Sequence, residues 1–221
     1  MAELKEIIHE TLSRAGIQHP PVEMEKILKV LDLEDLFFDS GIDQENGTVL
    51  FLDQLKGKWR IKIPSSLPRG RLIFDLAHEC VEYLALKADI KCSHREINEG
   101  AVEMLIPEKW GKEFIEKEGL DLFAFKRAFS TPSLDTCAYR LLDLAPFPGV
   151  LVVLRDGERR VHRRRQRAWF SPDEEEFIQE ASTSPNPIIR NLKGEVFQSF
   201  PIWDQRKFRV KKSYIYFWEG N

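Results

Sequence analysis

Leu72-Ile73-Phe74-Asp75-Leu76-Ala77-His78-Glu79-Cys80-Val81-Glu82-Tyr83 decides how this chain is read. From about Arg71 to Lys87 the run has the length and period of a helix. His78 and Glu82 stand four residues apart on it, so both lie on one face and can reach one ion. Glu79 is rotated one position round, which suits it to act on a metal-bound water rather than bind the ion. Ile73, Leu76, Ala77, Cys80 and Leu84 surround the trio, so the helix is expected to be largely buried. Buried charges need partners or a metal. In isolation, a His and a Glu at this spacing read as a solvated pair. The apolar surround and a second acid-bearing helix close behind favour a site.

That second helix is expected over His94 to Ile106 and stops before Pro107. It carries Glu96, Asn98, Glu99 and Glu103. Upstream, residues 3–14 form an amphipathic helix with Leu4, Ile7, Ile8 and Leu12 on one face and Gly16 as its stop. Val22 to Leu33 restarts a helix after Pro21. Thr48 to Leu52 and Trp59 to Ile63 read as strands, the second with Trp59, Ile61 and Ile63 alternating with Arg60 and Lys62.

The first motif is H-E-x-x-E where the zinc peptidase motif is H-E-x-x-H. With the helix that follows, it resembles the ImmA/IrrE family of metallopeptidases. The family pattern is roughly F-x-L-A-H-E-x-x-H, then E-A-N-x-F-A-x-x-L-L-M-P. Phe74, Leu76, Ala77, His78 and Glu79 match the first part. Glu96, Asn98, Ala101, Leu105 and Pro107 match the second, with Ile97, Gly100 and Ile106 as substitutions. The resemblance covers about residues 20–107, thins from 108 to 145 and is absent after 146. It implies an α+β fold with a zincin-like metallopeptidase domain. It makes His78 the first metal ligand, Glu79 the catalytic base and Glu96 the third ligand. Glu82 stands where the family has its second ligand, a His. Zinc accepts carboxylates, so a His78/Glu82/Glu96 site is chemically sound. That set leaves a divalent site neutral, whereas two His and one Glu leave it at +1. A neutral site acidifies bound water less, and more carboxylate favours manganese or iron(II) over zinc. The implied substrate is a protein, often a transcriptional repressor in this family.

Around these helices the composition is that of a globular protein: 43% hydrophobic and 31% charged residues, which excludes wholesale disorder. No apolar run approaches the ~20 residues of a membrane span. Three cysteines, odd in number and scattered, argue against a disulfide framework, and a reducing cytoplasm is expected. Residues 1–107 hold 13 basic and 19 acidic side chains, a net of −6; residues 108–221 hold 20 and 17, a net of +3. The break after Pro107 suggests modules. The expected organisation is a metallopeptidase-like domain over 1–107, a helical extension resembling a helix-turn-helix over 108–148, and a small β-rich module over 149–221. In the extension, Thr131 is expected to cap a helix that starts at Pro132. In the last module, Asp156-Gly157 is a hairpin turn signal.

The remaining candidates divide between chemistry and plain structure. His94 sits two residues before Glu96 and reads as a surface histidine rather than a replacement ligand. Glu99 and Glu103 read as a solvated helix face. Asp75, one turn before His78, is either a hydrogen-bond partner of the site or an acid opposing the helix dipole. Cys80 and Cys137 read as small core residues. The run from Arg159 to Arg167 is either an edge strand with some arginines paired to Asp173–Glu176, or a surface for phosphate or an acidic partner. The alternatives to a peptidase are therefore a relative that keeps the fold and acts as a regulatory or binding protein, and a nucleic-acid-associated factor using residues 159–167.

Overall fold

The computed structural model describes residues 1–39, 48–65, 67–155, 158–163, 170–192, 194–204 and 209–219. Asp156-Gly157 and residues 164–169 lie outside them. The architecture is α+β, and the chain divides into two compact units: residues 1–114 with 124–137, and residues 115–123 with 138–221. The division runs through the 108–148 stretch instead of leaving it as a unit of its own.

In the first unit, Leu4, Ile8 and Leu12 bury one stripe of α1 (Ala2–Arg14). α2 (Met24–Val30) is shorter than its apolar pattern predicts. Asp32 takes a left-handed φ of 55°, and the Leu33 amide returns to the Leu28 carbonyl at 2.9 Å, which closes the helix early. β1 (Phe37–Asp39), β2 (Val49–Asp53) and β3 (Lys58–Pro64) form a sheet in the order β1-β3-β2. β1 runs parallel to β3, while β2 pairs antiparallel with it, Leu50 opposite Ile61. Gly57 closes the β2–β3 turn at φ 63°, its amide donating to the Asp53 carbonyl at 2.8 Å. Ile61 and Ile63 face the core from β3.

α3 (Arg69–Lys87) follows and buries Leu76, Ala77, Cys80, Val81, Leu84 and Ala85. It ends as α2 does: Asp89 sits at φ 55° and the Ile90 amide returns to the Ala85 carbonyl at 2.9 Å. This folds residues 89–93 back towards α3 before α4 (His94–Leu105) starts. α4 packs on α1 and α3 at Gly100, where a Cβ would stand 2.7 Å from Val81 Cγ1 and 3.4 Å from Ile8 Cδ1. A β-branched valine cannot swing away cheaply. Gly100→Ala is therefore expected to lower stability by about 1–3 kcal/mol despite its better helix propensity. Denaturant unfolding of both proteins measures it; an unchanged or raised midpoint contradicts the packing described.

α5 (Glu108–Glu118), α6 (Leu122–Ala128) and α7 (Leu134–Leu144) run through the division. In the first unit Phe114, Phe125 and Phe129 pack as edge-on and tilted aromatic pairs. α7 starts later than expected. Ser133 is the residue whose hydroxyl accepts from the Thr136 amide, at 3.1 Å, while Thr131 donates to the Val22 carbonyl at 2.6 Å. The long-range bond takes the hydroxyl that sequence spacing assigned to the cap.

The second unit holds β4 (Gly149–Arg155), β5 (Glu158–Arg163), α8 (Pro172–Thr183), β6 (Ile188–Leu192), β7 (Glu195–Asp204) and β8 (Arg209–Glu219). Its five strands form one antiparallel sheet in the order β5-β4-β8-β7-β6. Phe177, Ile178 and Ala181 of α8 pack on Val150, Val152, Phe197, Ile215 and Phe217 of one sheet face. On the other face Tyr216 stacks on Trp218 and donates from its hydroxyl to the Ala138 carbonyl at 3.0 Å. No helix of the described residues is long and apolar enough to cross a membrane.

Candidate metal centre

Helical spacing on α3 brings His78, Glu79 and Glu82 together. One ligand atom from each lies within 4.8 Å of the others, so the three form a group that can hold a metal ion. His78 Nε2 stands 4.0 Å from Glu82 Oε2, and the two side chains are 13% and 46% exposed. The other ring nitrogen, Nδ1, lies 3.0 Å from Asn98 Oδ1 on α4. A carboxamide oxygen only accepts, so Nδ1 carries the proton and Nε2 is left with the lone pair a metal needs. Asn98 therefore selects the ligating tautomer, and the Gly100 contact between α3 and α4 brings it close enough to do so. Asn98→Leu is expected to lower metal affinity about 10- to 100-fold. Titration calorimetry checks it; unchanged affinity removes Asn98 from this role.

Glu79 is 5% exposed and sits under the edge of the small sheet. The Thr48 hydroxyl donates to its Oε1 at 3.0 Å and the Leu50 amide to its Oε2 at 2.8 Å. Burial pushes its carboxyl up from 4.5 to about 7; the two hydrogen bonds pull down, and the charges of Glu82 and Asp75 push up further. A carboxyl raised in the fold binds more protons folded than unfolded between those two values. Its contribution is thus fully present below pH 4.5 and is lost as pH rises through 7. The metal-free protein should lose on the order of 2–3 kcal/mol from this group across that window. Glu79→Gln should flatten that part of the pH–stability curve, and identical curves for the two proteins contradict the burial argument.

Glu96, expected as the third ligand, does not join the group. It stands at the third position of α4, where Oε2 accepts from the Ser93 amide and hydroxyl, both at 2.8 Å, while the Ser93 hydroxyl accepts from the Glu96 amide at 3.3 Å. This capping box satisfies the start of α4 and holds the carboxyl below its usual range. His94 is instead beside His78, ring centroids 4.9 Å apart. His78, Glu82, Ala85, Leu86, Asp89, Ile90, Lys91, Cys92, His94 and Ile97 line a cavity of about 420 Å³.

The other candidates separate. Glu99 is an exposed partner of Arg95, as a solvated face requires. Glu103 is not on that face: it is fully buried, with His9 Nε2 2.9 Å from Oε1 and the Glu108 amide donating to the same oxygen at 2.9 Å. His9 on α1 is too distant in sequence for helical spacing to reveal. Asp75 lies 3.5 Å from Arg71, and the His78 ring hydrogen-bonds to Asn98. Cys80 and Cys137 are buried. In the arginine run, Arg159 makes a two-pronged ion pair with Glu175 and lies over the Phe170 ring at 4.2 Å. The side chains of residues 163–167 lie outside the described set.

No family model matches the chain, and no curated protein matches it. Among solved structures, a Mycobacterium tuberculosis transcriptional regulator is similar with a TM-score of 0.62 at 13% identity, over 100% of this chain and 76% of that one. At that identity the likeness concerns the fold.

Proposed function

We propose that the first unit is a zincin-like, metal-dependent peptidase acting on a protein substrate. The observation that carries this is the His78–Glu79–Glu82 group, with Asn98 presenting His78 Nε2 as a ligand. His78 and Glu82 would hold zinc, or manganese or iron(II) given the carboxylate. Such an ion, when bound, lowers the pKa of its water and polarises a carbonyl oxygen. Glu79, buried with its carboxyl pushed up in the metal-free fold, would take a proton at Oε1 or Oε2 and hand it on to a leaving amine. Thr48 and Leu50 fix that carboxylate against the strand. β2 is an edge of its sheet, and the Leu50 amide points outward from it to Glu79. An extended peptide added to that edge would lie alongside Glu79.

A second reading follows from Glu96. Its carboxylate is spent on the capping box, which suits a fold that binds without cleaving. In that reading the chain is a regulatory protein, in keeping with the transcriptional regulator whose fold it shares. Nucleic-acid binding through strand β5 is weakened by the pairing of Arg159 with Glu175.

The test is to incubate the metal-loaded protein with a whole-cell protein extract and map new N-termini by mass spectrometry. Termini that require the ion and vanish in Glu79→Gln support a peptidase. Identical termini for the two proteins support the regulatory reading.

A further inference from the structure

We infer that His94, not Glu96, completes the ion site begun by His78 and Glu82. The inference rests on the metal reading above and names the third ligand of that same site. Four observations carry it.

His94 and His78 have ring centroids 4.9 Å apart. Metal–nitrogen bonds of ~2.0–2.1 Å at a tetrahedral angle put the centroids of two imidazoles on one ion about 5 Å apart. The rings are thus close enough to share an ion; the donors already within 4.8 Å of one another are those of His78, Glu79 and Glu82, so the exposed His94 ring turns inward to bind. The same arithmetic puts two donor atoms on one ion roughly 3.3 Å apart. His78 Nε2 and Glu82 Oε2, at 4.0 Å, need close by only a fraction of an ångström.

His94 and both other donors also line one cavity of about 420 Å³, and Glu96 is not among its lining residues. The left-handed turn at Asp89 folds residues 89–93 back over α3 and delivers His94 to the cavity mouth.

Glu96 is held elsewhere. Drawing its carboxylate to the ion would leave the Ser93 amide and hydroxyl without their acceptor and undo the start of α4. His94 occupies the first position of the same helix, and no cap depends on its ring.

The fourth observation is charge. His78, Glu82 and His94 are two neutral imidazoles and one carboxylate, the His₂Glu composition of hydrolytic zinc sites. The site then carries +1, where His78, Glu82 and Glu96 would leave it neutral. A carboxylate at position 82 and a histidine at position 94 exchange the places of the two donor types and keep the sum.

The test uses the full chain, stripped with chelator and dialysed. Zinc is titrated by calorimetry and cobalt(II) by visible absorption into wild type, His78→Ala, His94→Ala, His94→Cys and Glu96→Gln. Glu96→Gln keeps the capping box, because glutamine serves at that position as well. The expected result is a loss of at least ~100-fold in affinity for His94→Ala, beyond the cost of a supporting residue, and a change of about twofold or less for Glu96→Gln. His94→Cys should add a sulfur-to-cobalt charge-transfer band over the wild-type spectrum, which a merely structural residue does not produce. If His78→Ala loses the ion while His94→Ala binds as wild type and His94→Cys adds no band, His94 is not a ligand and the metal reading stands. If wild type takes up no ion, or His78→Ala binds as well as wild type, the metal reading fails and this inference with it.

Discussion

Glu79→Gln is expected to lower metal-dependent proteolysis by about 10²–10⁴-fold while leaving ion affinity nearly unchanged. The magnitude is that of removing a positioned acid–base group. The substitution keeps an oxygen to accept from the Thr48 hydroxyl or the Leu50 amide, so the carboxamide stays at the strand edge. What it loses is the group that takes up and gives back a proton. The assay compares cleavage of one identified substrate at equal ion occupancy, across pH 5 to 9. A variant that cleaves at the wild-type rate removes Glu79 from the chemistry; a variant that loses the ion makes it a ligand.

The second large effect is a gain. Glu82→His should raise zinc affinity by at least tenfold relative to manganese, because it replaces a hard anionic donor with an imidazole. It restores H-E-x-x-H, and with His94 it would make a three-histidine set of the kind that holds catalytic zinc. Space for the ring exists. The Glu82 side chain is 46% exposed and Leu86 is 54% exposed. Tyr83 is turned against Trp59, centroids 6.2 Å apart, and Lys87 lies over its ring. Paired calorimetric titrations at one pH read the ratio, and equal zinc-to-manganese preference in both proteins would contradict position 82 as a donor.

The site helix was legible because two kinds of information coincide there. Helical spacing alone puts His78, Glu79 and Glu82 on adjoining faces, and local spacing survives folding. Strand β3 was legible from alternation, β2 from its apolar run Val49–Leu52, and α4 from its stop before Pro107. What sequence reading misplaced was decided by competition between local and distant partners. Glu96 matches the third ligand of the family it resembles, and Ser93-x-x-Glu96 is also a capping-box pattern, the bonds its carboxylate makes here. Ser171-x-x-Glu174 with Pro172 is the same pattern and starts α8. Thr131 was given a cap and instead bonds Val22, 109 residues away. Glu103 was given to solvent and instead meets His9. Neither partner is visible in a local window. β1 and β6 are short edge strands, three and five residues long, with too few residues to show a period.

His94 shows the converse. Its position at the start of a helix reads as surface, and it is exposed. Only the turn at Asp89, set by one left-handed residue, brings it beside His78. Asn98 likewise gained its meaning from packing, since its side chain serves the site only because Gly100 lets α4 approach α3 closely.

Whether the cleft on α3 holds a metal ion is read from metal content. The full chain, purified without chelator and without a histidine tag, is measured by elemental mass spectrometry beside His78→Ala, with folding of both confirmed by circular dichroism. One transition-metal ion per chain in wild type and none in His78→Ala is the expected result. Equal metal content in the two proteins, or none in either after equilibration with excess zinc, manganese and iron(II), would contradict it.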